Sequence, residues 1–377
     1  MRLRTVAKFA VILSALLFGL GVGVYSFVQL KLADRTKNMD LLELVPRDVR
    51  GLVETDNVDF FISELPRMAY AARFDTLHRS NLIETIFYEL TRYTSHAAHG
   101  LSNQVNQLML SFHQPGTSRD MVAYFRMGKE GKNFLREVLL EKYGGKFTRR
   151  IEKYRGKEIR IYPLSAEDFL SLYGGEGFLV ASYEKRLIEE VIDAQLDKRS
   201  LSQDTVFQSL HHNKSSRFMT FYGRTASVPL LSNNHDYCWS EFDLHMNREV
   251  LYLSGVMTAP RACTPLMAER LKRIPPVEED SLLILSGTER IDSCIRKASV
   301  AAEGRLFDKC ITNLSSTASY IMVADMEKVA GEKAFFKDYL PPFINEWAEM
   351  FEPFILSVQV TETGGRFSHI FVLTYRE

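Results

Sequence analysis

Residues 354–375 read FILSVQVTETGGRFSHIFVLTY. Apolar and polar side chains alternate on both sides of Gly364-Gly365, and a period of two puts each set on its own face of a strand. Adjacent glycines supply the positive φ that a tight hairpin turn needs. An antiparallel hairpin is expected here, with strands over 354–361 and 367–375. The same grammar recurs upstream. Residues 107–113 and 121–127 flank Gln114-Pro115-Gly116-Thr117, and 147–154 and 157–164 flank Arg155-Gly156. Further strands are expected over 51–55, 177–182, 218–222, 237–244, 249–257, 281–286 and 319–323.

Helical periodicity separates some of these strands. It covers 81–93, 132–143 ahead of Gly144-Gly145, and 184–196, and Asp56 or Asn57 can cap a helix after the first strand. Phe335, Phe336, Tyr339, Phe343, Trp347, Phe351 and Phe354 recur at three- and four-residue spacing, the pattern of a packed core. Pro341-Pro342 should split that stretch into one short helix before them and another over 343–351.

The expected fold class is therefore α+β: an N-terminal transmembrane helix, then mostly antiparallel sheets with packed helices in two similar halves. The halves would span 44–197 and 204–377, joined near 198–203. An echo between LVPRDVRGLVETDNVD (44–59) and RIPPVEEDSLLILSGTERID (273–292) supports such a division, since each runs from proline through an apolar strand into a polar turn.

Of the 377 residues, 46% are hydrophobic and 25% charged, as in an ordinary globular protein. Forty-seven basic and forty-seven acidic side chains leave no net field to draw the chain onto nucleic acid, which is excluded as a partner. Residues 9–30 carry no charge, and Arg2, Arg4 and Lys8 precede them. About 22 residues at about 1.5 Å each span about 33 Å, enough for a hydrocarbon core of about 30 Å.

Residues 1–30 read as a membrane anchor and 31–43 as a charged linker. Gly21 and Gly23 offer a peptidase site, but the apolar run continues through 24–30, as an uncleaved segment would. The basic residues on either side nearly balance. The export-like order, and the lack of a later apolar stretch of that length, favour a cytoplasmic N-terminus with the bulk of the chain in the periplasm, held by the inner membrane.

The stretches LVPRDVRGLVETDNVDFF (44–61) and FLVASYEKRLIEEVIDAQ (178–195) resemble the family described as domain of unknown function 3352. The resemblance covers residues 44–196 and implies an exported or membrane-anchored bacterial protein. It implies no activity and no catalytic residue.

No phosphate loop, nucleophile elbow, His-Glu-x-x-His helix or Cys-x-x-Cys occurs. His96 and His99 share a helical face but have no third ligand nearby, and His211-His212 sits before a polar Asn-Lys-Ser-Ser turn. Both pairs read as surface residues, and no catalytic, cofactor or metal residue is expected. The basic run Lys142, Lys146, Arg149, Arg150, Lys153, Arg155, Lys157 and Arg160 reads as the solvated face of a hairpin, with an anionic-lipid patch as the alternative. The four cysteines, Cys238, Cys263, Cys294 and Cys310, are expected to form at most one bridge, with Cys294 and Cys310 preferred by proximity.

These features point to a non-catalytic envelope protein whose partner is a further envelope protein or lipid. A lipid or small-ligand carrier would instead need an apolar pocket of about 300–1,000 Å³. An enzyme would need titratable groups converging in a cleft.

Overall fold

The computed structural model describes residues 39–56, 105–114, 119–127, 150–163, 169–211, 219–232, 238–246, 249–300, 305–346 and 348–376. The apolar segment 9–30, the helices expected over 81–93 and 132–143, and any helix after Asn57 lie outside them. The strands are β1 (Gly51–Thr55), β2 (Val105–Phe112), β3 (Met121–Met127), β4 (Arg150–Tyr154), β5 (Lys157–Pro163), β6 (Phe169–Gly175), β7 (Phe178–Ser182), β8 (Thr220–Gly223) and β9 (Trp239–Met246). The rest are β10 (Val250–Thr258), β11 (Val277–Glu279), β12 (Leu282–Ser286), β13 (Tyr320–Asp325), β14 (Phe354–Thr363) and β15 (Arg366–Tyr375). The helices are α1 (Lys185–Asp197), α2 (Thr205–His211), α3 (Thr264–Lys272), α4 (Thr288–Val300), α5 (Leu306–Thr312), α6 (Met326–Gly331), α7 (Lys333–Phe336) and α8 (Pro342–Asn345).

All fifteen strands among the described residues belong to one sheet, in the order β11-β12-β13-β14-β15-β10-β9-β8-β1-β2-β3-β7-β6-β5-β4. The expected fold class is overturned by this arrangement. The protein is mostly one antiparallel sheet with short helices, and backbone pairing of β1 with β8 makes the two expected halves continuous. Among the described residues no helix is long and apolar enough to cross a membrane.

Outward from the join, one side runs β1-β2-β3-β7-β6-β5-β4 and the other β8-β9-β10-β15-β14-β13-β12-β11. On each side a three-strand meander pairs through its third strand with the last strand of the meander that follows. The sequence echo falls on β1 and β12, which occupy different places in this order, so it does not mark equivalent strands.

The hairpins form for the reasons their turns give. Thr363 pairs with Arg366 across Gly364 (φ 59°) and Gly365 (φ 79°), and Tyr154 pairs with Lys157 across Arg155 (φ 47°) and Gly156 (φ 79°). Helix α1 buries Leu187, Ile188, Val191, Ile192 and Ala194 on one stripe and ends at left-handed Lys198. It covers the sheet face that carries Tyr124, Tyr173 and Val180, while α2 adds Phe207 to the same core. Helices α4 and α5 cover Leu283, Val323 and Ile355 with Ile291 and Phe307. The opposite face is one apolar field that includes Val53, Leu110, Phe125, Phe242, Leu253, Met322, Val358 and Phe371.

Several boundaries move. Leu41 and Leu42, placed in the linker by their neighbours' charge, are fully buried in a short 3₁₀ turn capped by Asp40, whose carboxylate accepts from Leu42 N at 2.9 Å. The junction near 198–203 is stapled to the start of the fold: Leu201 N donates to Val45 O at 2.8 Å and Ser200 bridges Pro46. After Pro341 the chain forms only α8 and a 3₁₀ turn at Ala348–Phe351, not one helix over 343–351. Phe336, Tyr339, Phe351 and Phe354 join the main core as expected, whereas Phe335 is exposed and Trp347 lies outside the described residues. All four cysteines are free.

One close approach fixes the centre of the sheet. His369 on β15 reaches across Gly255 on β10, and its Nε2–H donates to Glu241 O on β9 at 2.8 Å. A Cβ at Gly255 would lie 1.9 Å from that carbonyl oxygen, whereas at Gly223 the nearest atom would be 3.7 Å away. Gly255→Ala should therefore cost at least ~2 kcal/mol in denaturant unfolding, through backbone displacement and the loss of a buried hydrogen bond, with Gly223→Ala within about 1 kcal/mol. Equal stabilities for the two variants would refute this role for Gly255.

Candidate functional site

Strand β2 alternates Gln107, Met109, Ser111 and then His113 onto the face beneath α1 and α2, and these polar groups seed two buried networks. In the first, Gln107 Nε2 donates to Glu54 Oε1 at 2.6 Å, and His211 Nε2 lies 3.2 Å from Glu54 Oε2. Thr220, opposite Glu54 across the join, donates to Asp243 Oδ1 at 2.9 Å. The carboxylates are buried, so their hydrogen-bond partners are what make that burial tolerable. His211 is thus not the solvated residue its sequence context suggests. It is half-buried and stacked on Phe207. His96, His99 and His212 lie outside the described residues. Among the described residues no cluster of three or more His, Cys, Asp or Glu could hold a metal.

In the second network Ser111 Oγ lies 2.7 Å from His113 Nε2 and 3.0 Å from Tyr124 Oη. Desolvation lowers the His113 pKa from 6.5 to about 4, with Asp48 and Asp120 opposing the shift and Arg186 adding to it. Burial likewise pushes the Tyr124 phenol above its usual range. The Ser111–His113 distance is that of a nucleophile and its base, but Ser111 is fully buried and His113 nearly so. No substrate atom can reach the pair, and the geometry serves to satisfy polar groups inside a core. Gln107, Ser111 and His113, all on one face of an otherwise largely apolar strand, were the available sequence signal.

An accessible groove lies at the other end of the sheet. Strands β5 and β6 pair from Pro163↔Phe169 to Arg160↔Leu172, then part, so that Glu158 and Lys157 continue in register with Gly174 and Gly175 outside the ladder. Contacts with α1 hold both strands in place. Arg155 at the β4–β5 turn binds Asp193 at 2.7 Å and Asp197 at 2.8 Å, and Tyr154 Oη donates to Asp193 Oδ2 at 2.9 Å. Tyr173 Oη on β6 donates to Gln195 Oε1 at 2.6 Å.

A groove of about 860 Å³ runs through this gap. Lys157, Glu158, Arg160 and Glu176 supply its charged wall, and Met39, Tyr162, Leu172, Phe178 and Leu179 its apolar wall. Gln195 of α1 also lines it, so the groove reaches from the gap between the strands to the space between the sheet and α1. The described part of the basic run is interleaved with carboxylates: Arg150 pairs with Glu152 at 2.9 Å and Arg160 lies 4.0 Å from Glu158. Lys142, Lys146 and Arg149 lie outside the described residues.

No family model matches the chain. No curated protein matches it. The solved structure of TP0453 in its crystal form I is similar over 64% of this chain and 90% of that one, at 10% identity and a TM-score of 0.33. A likeness that remote carries no inference about fold or function.

The two buried imidazoles make acid stability measurable. His369 is also held neutral, its pKa lowered from 6.5 to about 3 by desolvation against the opposing bond to Glu241. Both rings are neutral in the fold, while in the unfolded chain each protonates near 6.5. Stability is therefore full above about pH 6.5 and falls as pH drops toward 4 and 3. Between pH 7.5 and 5 each should cost up to about 2 kcal/mol, about 1.4 kcal/mol per unit of pH below 6.5. His369→Gln keeps a donor for Glu241 O and should remove its share of that slope in urea titrations at several pH values. An unchanged slope would refute the assignment.

Proposed function

We propose that the protein is a single-pass envelope protein of the inner membrane, non-catalytic, that presents its large sheet on the periplasmic side to another envelope protein or to lipid. The observation that carries this is the short reach between the apolar segment and the fold. Residues 9–30 carry no charge, and the core already begins at Leu41 and Leu42, which are buried. The ten residues 31–40 extend no further than about 36 Å. The tether would keep the fold within about 36 Å of the bilayer surface, and Met39, which lines the groove, is the described residue nearest in sequence to the apolar segment.

Other features support the same reading. The resemblance of 44–61 and 178–195 to domain of unknown function 3352 points to an exported or anchored protein. Balanced charge argues against nucleic acid. Among the described residues the nucleophile-like pair Ser111 and His113 is shut inside the core, which favours presentation of a surface over catalysis.

Two measurements test this. The full chain should stay with membranes through an alkaline wash and lose that attachment when 9–30 are deleted. A reporter active only outside the cytoplasm should be active when fused after Glu377. A cytoplasmic reporter active at that position instead would overturn the orientation, and release of the full chain by alkali would overturn the anchor.

A further inference from the structure

We propose that the groove between the parted ends of β5 and β6 binds one zwitterionic phospholipid drawn from the adjacent bilayer, an inference that rests on the membrane attachment proposed above. Location supplies the first support. Met39 forms part of the groove and stands nine residues beyond Leu30, at most about 32 Å of extended chain from the end of the apolar segment. On the proposed attachment, the opening lies within reach of lipid at the membrane surface.

Size and chemistry supply the second. About 860 Å³ falls within the range of about 300–1,000 Å³ typical of small-ligand sites. Two cations, Lys157 and Arg160, and two carboxylates, Glu158 and Glu176, share the lining. A headgroup with a phosphate and an ammonium can satisfy both signs, the phosphate at the cations and the ammonium at the carboxylates. A purely anionic headgroup would face two carboxylates in the same space. Arg160 and Glu158 are 4.0 Å apart with side chains 40% and 53% exposed, so both charged ends are open to a ligand.

The apolar wall supplies the third. Tyr162, Leu172 and Leu179 lie beside those charges, which suits acyl carbons continuing from a headgroup and gives a bare phosphate nothing to fill. Gly174 and Gly175 let the side chains of Leu179 and Phe178 on β7 close over them, which brings those two apolar groups to the lip of the gap that the β5–β6 ladder has left.

The test uses the full chain in maltoside micelles, with retained ligand counted by native mass spectrometry. The probes are dihexanoyl phosphatidylethanolamine, dihexanoyl phosphatidylglycerol and free phosphoethanolamine. The zwitterionic lipid should be retained at one per chain at concentrations at least tenfold below either other probe. Lys157→Glu with Arg160→Glu, on an exposed wall where folding is least at risk, should weaken retention at least tenfold, and Leu179→Trp should do so by filling the apolar wall. Circular dichroism confirms that each variant folds. Equal retention of all three probes, retention indifferent to the charge reversal, or no retention at all would overturn the proposal. Vesicle flotation of the same preparations separates the two readings. Flotation without selective retention sinks the groove and spares the anchor, and selective retention without flotation does the reverse.

Discussion

Between Gly51 and Glu54 on one strand and Thr220 and Gly223 on the other, a single run of backbone pairing holds β1–β7 to β8–β15. Without it the chain would present two smaller sheets, each with an unpaired inner edge, and exposed edges recruit other chains. The join is reinforced on one face by α2, whose Phe207 packs against Tyr222 of β8 at 5.2 Å and Trp239 of β9 at 5.0 Å. On the other face Val53 and Phe221 stand opposite each other within the continuous apolar field. Gly51 faces Gly223, and a Cβ at Gly51 would lie 2.9 Å from Tyr222 O, so the strands approach there because no side chain intervenes.

What could be read from the sequence follows from the range of each interaction. The hairpins around Arg155-Gly156 and Gly364-Gly365 are local, and their turn residues announce them. Helix α1 was legible because its apolar stripe recurs over thirteen residues. Strand β6 was missed: Leu170, Ser171, Leu172 and Tyr173 are all buried, so covering on both faces erased the alternation that marks a half-exposed strand. Strand β11 is three residues long, too short to show a period. The pairing of β1 with β8 joins residues about 170 apart, and neither strand carries a mark naming the other. Two α+β halves were the natural reading of local signals, and one long-range pairing made them a single sheet.

The site was less legible for the same reason. His211 looked solvated because Asn213-Lys214-Ser215-Ser216 follow it, yet its partner Glu54 is 157 residues away. The groove depends on where a ladder stops, and the contacts of Arg155, Tyr154 and Tyr173 with α1 beside it join residues 22 to 42 apart. Two adjacent glycines at 174–175 make room for the side chains of Phe178 and Leu179, a contact that only the pairing of β6 with β7 reveals.

The buried polar groups at the join have a cost that apolar residues would avoid, and their placement suggests what offsets it. Side chains change face with every residue, so a slip of one between β1 and β8 would carry Glu54 from beside Gln107 and Thr220 into the apolar field that holds Val53, Leu110 and Phe242. An apolar residue at 54 would tolerate that slip, whereas a buried carboxylate without its hydrogen-bond partners costs several kcal/mol. Thr220 and Asp243 extend the same penalty to the β8–β9 pairing. In a sheet whose two sides meet at only four residue pairs, a polar line that is satisfied in one register alone makes that register the one the chain adopts.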